Sequence, residues 1–276
     1  MFHAISSLFC KMYIRELNLI GFKNYEQAAF SFTPTVNCIV GHNGTGKTNL
    51  LDAIHYLCFT KSFLNPIDTQ NIHHHDPFFV IEGNFWRKGQ DEHIFCGFKR
   101  GMKKQFKRNK KEYERFSDHI GLLPAVVILP MDIQLLTGGS DERRKFMDSL
   151  ISQYDHVYLN NLISYNRLLM QRNTYLKKAF ELRKFDLEAI DIYNQQMAEF
   201  GHAIYERRQA FLENFIPVFE VCYTHLSSGK EKVTLFYQTT LHEQDMMQGF
   251  ENTLEKDRLL QYTTSGIHKD DLSLEL

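Results

Sequence analysis

The sequence has few of the features that mark disulfide-stabilised, zinc-binding or membrane-spanning proteins. No apolar run is long enough to cross a bilayer, and the start has no basic segment of the kind that opens a signal peptide. The cysteines are odd in number, far apart and without a CxxC pair, which indicates neither a disulfide framework nor a zinc site; they are Cys10, Cys38, Cys58, Cys96 and Cys222. We therefore predict a cytoplasmic protein without a membrane partner.

Neither sign of charge dominates the chain. Lys and Arg total 32 against 33 Asp and Glu, so the net charge is -1 and the pI is near 6.9. No global field recruits nucleic acid, and any basic surface must be local. With 276 residues, 43% of them hydrophobic, the chain can bury a substantial core in one large domain or two ordinary ones.

The first part of the chain has the short alternating pattern of strands. Residues 1–11 form an uncertain N-terminal extension, because the regular pattern begins only at Tyr13 and the true start is either Met1 or Met12. The pattern from Tyr13 onwards predicts strands, the last of them the apolar Cys38–Val40.

Further strands are predicted before the chain changes character. Residues 77–111 contain two strand-like runs separated by a turn. Residues 125–129 are five apolar residues stopped by Pro130, which is typical of a buried strand. Residues 12–139 are therefore predicted to be one mixed α/β lobe.

Residues 140–228 are predicted to be a helical arm inserted into this lobe. Two stretches of this segment have apolar residues at helical spacing, and the second of them ends near Pro217. The two long helices are expected to pack as an antiparallel pair. Strand character returns within residues 229–276, which are predicted to rejoin the α/β lobe. The first helix is indicated by apolar residues at helical spacing: Phe146, Leu150, Tyr154, Tyr158, Leu162, Tyr165 and Leu169.

The segment GHNGTGKT fits the phosphate-binding loop G-x-x-x-x-G-K-[ST] between a predicted strand and a predicted helix. Glycines let the backbone N–H groups converge on phosphate oxygens, and the helix N-terminus adds further donors. Lys47 is predicted to contact the β and γ phosphates of ATP and Thr48 to ligate Mg²⁺. The predicted nucleotide-binding residues are Gly41, His42, Asn43, Gly44, Thr45, Gly46, Lys47, Thr48 and Asn49.

Five motifs in order resemble the RecF family of ABC-type ATPases over nearly the whole chain from Met12. The motifs are GFKNY at 21–25, GHNGTGKTNLLDAIHYL at 41–57, LPMDIQLLTGGSDERRKFMDSL at 129–150, Tyr165-Asn166-Arg167 with Gln171-Arg172-Asn173, and GIHKDDL at 266–272.

The resemblance implies an ABC-type ATPase head, related to the heads of SMC proteins, with a mixed sheet around the Walker A loop and an inserted lobe of long helices. It also implies binding of ATP and Mg²⁺, weak DNA-stimulated ATP hydrolysis and an ATP-dependent homodimer. The implied partners are gapped DNA or single-strand to double-strand junctions, RecR and RecO, and indirectly RecA. The implied role is recombinational DNA repair and replication and the SOS response.

Some family motifs are missing from the sequence. The signature motif, the Walker B aspartates and the switch histidine should follow GIHKDDL, yet the sequence stops at Leu276. On that ground we expect weak nucleotide binding and little or no hydrolysis. Ile267 stands where the family usually has Pro, and Lys269 stands where it has Arg, which loses the bidentate fork of the guanidinium.

Two polar residues after the apolar run 125–129 are candidates for the metal site. Asp132 or Gln134 could lie near the nucleotide, because the family places a segment like a Q-loop there; the alternative is an ordinary strand end. Asp270 and Asp271 follow no apolar run and are rejected as Walker B residues, which leaves their role open.

Residues 99–111 hold eight basic side chains and no acidic one. Such a hairpin can neutralise DNA phosphates, although most charge runs are only solvated surfaces. Because the resembled family binds DNA, the predicted DNA-binding residues are Lys103, Lys104, Lys107, Arg108, Lys110 and Lys111.

Other charged residues have competing interpretations. Arg143 and Arg144 occupy the first turn of a helix, where the dipole disfavours cations, so a structural salt bridge is favoured over a phosphate contact. His73–His75 are interpreted as loop histidines, because adjacent side chains diverge. Lys23 and Asn24 could approach the nucleotide.

Two other classes of function stay open. The chain could be a non-catalytic P-loop interaction module or a remnant whose helical arm binds a partner, in which case ATP binding would be lost. Another P-loop enzyme, such as a small-molecule kinase, would need an acceptor pocket and a complete metal site, and the sequence shows neither.

Overall fold

A computed structural model describes residues 12–275, so the predicted extension at residues 1–11 lies outside the described residues. The chain divides into two compact units, the first ending at Val127 and the second beginning at Ile128. None of the helices described is both long and apolar enough to cross a membrane.

The first unit is a six-stranded sheet with one α-helix, α1 (Lys47–Phe59). The strand order is β2-β1-β3-β4-β5-β6, and every neighbouring pair is antiparallel. The strands are β1 (Tyr13–Phe22), β2 (Tyr25–Ser31), β3 (Phe78–Arg87), β4 (Gln90–Lys99), β5 (Gln105–Arg108) and β6 (Lys111–Glu112).

One face of the sheet forms the core of the first unit. Alternate residues of β3 and β4, such as Ile81, Ile94 and Cys96, are buried against α1, because successive side chains of a strand point to opposite faces. From α1, Tyr56 and Leu57 complete this core and are fully buried. The alternation read from the sequence in residues 77–111 is therefore confirmed.

Two tight turns fix the register of these strands. Lys88 and Gly89 join β3 to β4 with φ of 51° and 85°, and Asn109 and Lys110 join β5 to β6 with φ of 49° and 70°. Two consecutive residues with positive φ match the right-handed twist of the flanking strands.

Two predicted strands are wrong. Cys38–Val40 and residues 125–129 form no strand, and their apolar side chains are largely unburied; Val40 is 89% exposed and Ile128 is 85% exposed. A strand needs a hydrogen-bonded neighbour, and no strand within residues 12–275 pairs with either segment. An apolar run in the sequence therefore showed that these segments are hydrophobic but did not predict their backbone conformation.

The second unit consists of helices with a two-stranded antiparallel sheet. The helices are α2 (Gln134–Thr137), α3 (Ser140–Ser152), α4 (His156–Glu181), α5 (Leu187–Leu226) and α6 (Met246–Leu260), and the strands are β7 (Thr234–Gln238) and β8 (Asp271–Glu275).

The long helices α4 and α5 are antiparallel, as predicted. Arg172 contacts Asn194 near their connection, while Tyr158 contacts Arg208 farther along, so residue numbers rise in α5 as they fall in α4. The connection is five residues long, and the side chain of Asp186 caps α5 by accepting from Glu188 N at 2.9 Å.

Two helix boundaries differ from the prediction. The first helix is interrupted after Ser152, and Asp155 starts α4 by accepting from Tyr158 N at 2.9 Å. The second does not end near Pro217 but continues to Leu226. Because Pro217 is exposed, the carbonyl group that a proline leaves unbonded in a helix can be hydrated.

The predicted return of residues 229–276 to the first lobe is also corrected. These residues belong to the second unit, which begins at Ile128 rather than at residue 140. Leu235 and Leu272 from the two strands pack in the same apolar core as Ile204 of α5. Their apolar alternation indicated strands but could not show which unit would bury them.

A buried histidine ties the end of the first unit to α1. His119 is fully buried, with Nε2 2.7 Å from the carbonyl oxygen of Leu57 and Nδ1 3.1 Å from the hydroxyl of Tyr113. Since a carbonyl only accepts, Nε2 donates; in the neutral ring Nδ1 then accepts from the Tyr113 hydroxyl. Burial, opposed by the bond to Leu57 and assisted by the charge of Arg108, lowers the pKa of His119 to about 4.

We expect this histidine to make the first unit sensitive to acid. Below pH ~6.5 the imidazole is protonated in the unfolded chain but stays neutral in the folded protein. The free energy of unfolding therefore decreases as the pH falls and levels off near pH 4, with a total decrease of ~3 kcal/mol. Denaturant unfolding followed by the fluorescence of Trp86, the single tryptophan, measures it. The variant His119→Gln should show a flatter pH profile, and identical profiles would contradict the assignment.

Candidate nucleotide-binding site

The glycine-rich loop leads directly into α1. Gly44 and Gly46 have φ of 83° and 103°, which L side chains rarely adopt. A Cβ on Gly46 would also lie 2.5 Å from Nδ2 of Asn24, so only glycine fits there. No side chain caps the N-terminus of α1, and its first backbone N–H groups therefore point at an anion site at the positive end of the helix dipole.

Lys47 lies over this loop and forms no ion pair among residues 12–275. Its Nζ donates to the carbonyl oxygens of Gly41 at 2.8 Å and His42 at 2.7 Å, and Thr45 Oγ1 donates to the same His42 oxygen at 2.9 Å. Thr48 is exposed in the first turn of α1. The structure thus brings the predicted phosphate-binding residues together on one loop with an available ammonium group.

A turn between β1 and β2 holds the loop from behind. Asn24 Nδ2 donates to the carbonyl oxygen of Thr45 at 3.1 Å, and the hydroxyl of Tyr25 donates to that of Gly46 at 3.1 Å. Asn49 Nδ2 donates to Asn24 Oδ1 at 2.7 Å, so this predicted nucleotide-binding residue supports the brace. The bracing role of Tyr25 was missed, although it belongs to the same motif, GFKNY, as Asn24.

Lys23 has a structural role instead of the suggested approach to the nucleotide. Its ammonium group forms an ion pair with the buried carboxylate of Asp52, which also accepts from Ser62 Oγ at 2.6 Å and from Phe63 N at 2.8 Å. A charge buried in α1 needs this full set of partners. The sequence feature that could have indicated this ion pair is Asp52, an acidic residue on the apolar face of α1, together with Lys23 in the turn between β1 and β2.

The candidate metal ligands after residue 129 are in a local turn. Asp132 Oδ2 accepts from Leu129 N at 2.7 Å and caps the short helical turn Pro130–Ile133. Gln134 is exposed at the start of α2. Asp132 therefore has a capping role that the sequence did not reveal, and it belongs to no group of three or more His, Cys, Asp or Glu side chains that could hold a metal ion within residues 12–275.

Two members of the predicted DNA-binding set form intramolecular ion pairs. Lys104 Nζ lies 3.0 Å from Asp68 Oδ2 and donates to Thr60 O at 2.8 Å, and Arg108 Nε donates to buried Glu92 at 2.8 Å. The hydrogen bonds from Arg108 hold the pKa of Glu92 below its usual range. Lys104 and Arg108 therefore already have acidic partners within the first unit.

The other four lysines remain accessible. Lys103, Lys110 and Lys111 are exposed, and Lys107 is partly exposed with its Nζ 5.3 Å from the ring centroid of Phe95. The β5–β6 turn displays Lys110 and Lys111 side by side. The hairpin thus retains a local basic surface, formed by fewer residues than the sequence suggested.

The arginines at the start of α3 are structural, as favoured. Arg143 Nε lies 2.7 Å from Asp271 Oδ1 and its second nitrogen 2.9 Å from Oδ2. This bidentate pair lowers the pKa of Asp271. Arg144 donates to the Asp141 carboxylate and to the carbonyl oxygen of Asp270. The roles of Asp270 and Asp271, left open by the sequence, are therefore to fasten β8 to the helices.

The other family motifs meet in a polar core of the second unit. Arg172 is fully buried and donates to Asp257 at 2.7 Å and to Thr263 Oγ1 at 2.8 Å. The hydroxyl of Tyr165 lies 2.9 Å from Nδ1 of His268, whose pKa burial lowers to about 4. These two motifs, which carry part of the resemblance to the family, thus form buried polar contacts within the second unit.

His73 has a carboxylate partner in its own loop. Its Nδ1 lies 3.0 Å from Asp76 Oδ2, and His75 has a positive φ of 72°. The three adjacent histidines form part of the connection before β3.

Comparison with known proteins agrees with this geometry. The profile of the family described as AAA domain matches residues 16–261. The chain is 47% identical over 265 residues to the DNA replication and repair protein RecF of Flavobacterium johnsoniae, covering 96% of this chain and 74% of that protein. It is 47% identical over 266 residues to the protein of the same name from Phocaeicola vulgatus, covering 96% of this chain and 71% of that protein.

Solved structures agree at the level of the fold. The recombination mediator protein RecF of the RecFOR pathway, solved as RecF-ATPrS and as RecF-ATP, superposes in both forms with a TM-score of 0.90 at 26% identity. The match covers 96% of this chain and 74% and 73% of the two solved chains. The predicted α/β class and the predicted family are thereby confirmed, and the chain belongs to the RecF family of DNA replication and repair proteins.

Proposed function

We propose that this chain binds ATP with Mg²⁺ at the loop Gly41–Thr48 and that nucleotide binding controls its association with DNA. The observation that carries the proposal is the open N-terminus of α1 beneath Lys47, without a capping side chain or an acidic partner within residues 12–275. Backbone N–H groups and an ammonium group converge there, and this is the arrangement that phosphate oxygens require.

The metal would be held mainly through the nucleotide. Thr48 presents its hydroxyl in the first turn of α1, where the same sequence position binds Mg²⁺ in other P-loops. Mg²⁺ usually keeps several waters and takes only one or two protein ligands together with phosphate oxygens. Asp132 is already used in a helical cap, so Thr48 is the protein ligand that we propose.

The relatives support the partners that we propose. The similar solved protein is described as a recombination mediator of the RecFOR pathway, one form being RecF-ATP. From this likeness we propose that the chain binds gapped DNA, that RecR and RecO are its protein partners and RecA an indirect one, and that it forms a homodimer when ATP is bound.

Titration with a fluorescent ATP analogue tests the nucleotide proposal. We expect saturable binding that weakens when Mg²⁺ is chelated and that weakens to the same level with Mg²⁺ present in Thr48→Val. Absence of saturable binding by the folded chain would favour the alternative of an interaction module whose P-loop has only a structural role.

We expect the accessible lysines of the hairpin to govern the salt dependence of DNA binding. Replacing Lys103, Lys110 and Lys111 by Glu should weaken binding to duplex DNA and reduce the slope of log affinity against log salt, by up to about 0.9 for each DNA phosphate that is no longer neutralised. Fluorescence anisotropy at several salt concentrations measures the slope.

The matched control changes the same number of charges in the second unit. Lys177, Lys178 and Lys256 are exposed there, and their replacement by Glu should leave the slope nearly unchanged. Equal slopes for the hairpin variant and the wild type would remove the hairpin from the proposed DNA interface.

A further inference from the structure

An aromatic hollow with basic edges lies at one end of the sheet in the first unit. Its volume is about 240 Å³. Aromatic and thioether side chains form its walls and two lysines stand at its edge; these residues are Phe78, Phe95, Met102, Lys99 and Lys103. We call it the aromatic hollow.

The hollow opens on the sheet face opposite α1. Along β4, Ile94 and Cys96 point into the core, so Phe95, Gly97 and Lys99 point to the other face. This face would be expected to carry polar residues if it were only solvated. Apolar rings placed there need a different explanation.

The absence of a side chain at Gly97 allows the Phe95 ring to lie against the backbone of β4. A Cβ at Gly97 would lie 3.0 Å from the Phe95 ring, so the ring leans across the backbone where the side chain is missing. Neighbouring Phe78 is 37% exposed and Met102 is 62% exposed, both large for apolar side chains on one small patch. The ring therefore lies at the floor of a hollow that flat apolar groups can enter.

Positive charge surrounds the hollow. Lys107 Nζ lies 5.3 Å from the Phe95 ring centroid, and neither Lys99 nor Lys103 forms an ion pair within residues 12–275. The acidic residue Glu82 pairs with Phe95 across β3 and β4 on the same face, so the field is positive at the loop side and weaker toward the middle of the sheet.

We propose that the aromatic hollow binds an unpaired base of single-stranded DNA by stacking on Phe95, while Lys99, Lys103 and Lys107 neutralise the adjacent phosphates. This inference rests on the proposed DNA binding and adds the place on the sheet where an unpaired base of the gapped DNA is held. Aromatic rings inside a basic groove are the combination that holds single strands, because every base has a stacking face and every nucleotide a phosphate. Bases within a duplex are already stacked, so the hollow discriminates against paired DNA.

The test compares an oligodeoxythymidine with an abasic oligonucleotide of equal length and charge. We expect the wild-type chain to bind the intact strand roughly tenfold more tightly, as expected for stacking of one base. In Phe95→Leu this ratio should fall close to one while the salt slope is unchanged. In Lys103→Gln the ratio should persist and the slope should fall by about 0.7.

Two controls keep the test specific. Trp86→Leu removes an aromatic ring from the opposite end of the same sheet, where the Arg15 guanidinium covers it at 4.4 Å, and should not change the ratio. Trp86 fluorescence shows that Phe95→Leu is folded.

Equal affinity of the wild-type chain for intact and abasic strands overturns stacking but leaves DNA binding in place, provided that duplex DNA is still bound. Failure to bind any of these DNAs overturns both proposals. A ratio retained in Phe95→Leu overturns the assignment to the aromatic hollow.

Discussion

Replacing Arg208 by Met should destabilise the second unit by ~3–5 kcal/mol, because it leaves the buried carboxylate of Asp270 and the partly buried carboxylate of Asp148 without their counter-charge. The side chain of Arg208 is 1% exposed, with one nitrogen 2.9 Å from Asp148 Oδ1 and another 3.2 Å from Asp270 Oδ2. It also donates to the carbonyl oxygen of Ile267 at 2.9 Å and to the Tyr158 hydroxyl at 3.2 Å. Thermal unfolding followed by far-ultraviolet circular dichroism should show a midpoint lower by roughly 6–20 °C.

The adjacent residue provides a matched control. The side chain of Arg207 is 58% exposed, and its Nε lies 3.4 Å from Asp155 Oδ2. Because such an exposed ion pair contributes little, Arg207→Met should lower the free energy of unfolding by no more than about 1 kcal/mol. Adding Asp270→Asn to Arg208→Met removes one stranded carboxylate, whose pKa burial already raises, and should recover part of the loss. If Arg208→Met and Arg207→Met unfold at the same temperature, the buried network does not contribute as we describe.

Replacing Lys47 by Ala should weaken binding of the ATP analogue by roughly 10- to 150-fold, since a hydrogen bond to a charged group contributes about 1.5–3 kcal/mol. The fold should be retained, because the two carbonyl groups that Lys47 contacts, those of Gly41 and His42, are exposed and can be hydrated. The same titration used for the wild-type chain measures the affinity.

Lys61 offers the corresponding control, as an exposed lysine just after the other end of α1. Lys61→Ala should bind nucleotide as the wild-type chain does. Equal affinities of Lys47→Ala and the wild-type chain would overturn the assignment of the loop to phosphate binding, even if the chain binds nucleotide elsewhere.

The nucleotide site shows which features can be predicted from local sequence alone. The phosphate loop was predictable because its chemistry lies in consecutive residues: glycines set the backbone, and Lys47 and Thr48 follow at fixed spacing. The brace formed by Asn24 and Tyr25 was less predictable, since it joins residues more than twenty positions apart. Only the pairing of β1 with β2 places that turn behind the loop.

Charged residues were harder to interpret than apolar ones. Lys103 and Lys104 are neighbours in sequence with the same chemistry, yet one is exposed and the other binds Asp68 and Thr60. Likewise, Arg108 is adjacent in the chain to Lys107 but its guanidinium is engaged by Glu92. Whether a charge meets solvent or a partner depends on distant residues that composition does not reveal.

By itself the sequence determined the strands β1 to β4, the long antiparallel helices, the phosphate loop and the family, because these follow from periodicity and from contiguous motifs. Only the tertiary structure decided that Cys38–Val40 stays unpaired, that β7 and β8 join the helical unit, and that Asp270 and Arg208 share a buried network. The physical reason is that strand pairing, burial and charge compensation are interactions between segments far apart in the chain, whereas periodicity reports only on each segment's own geometry.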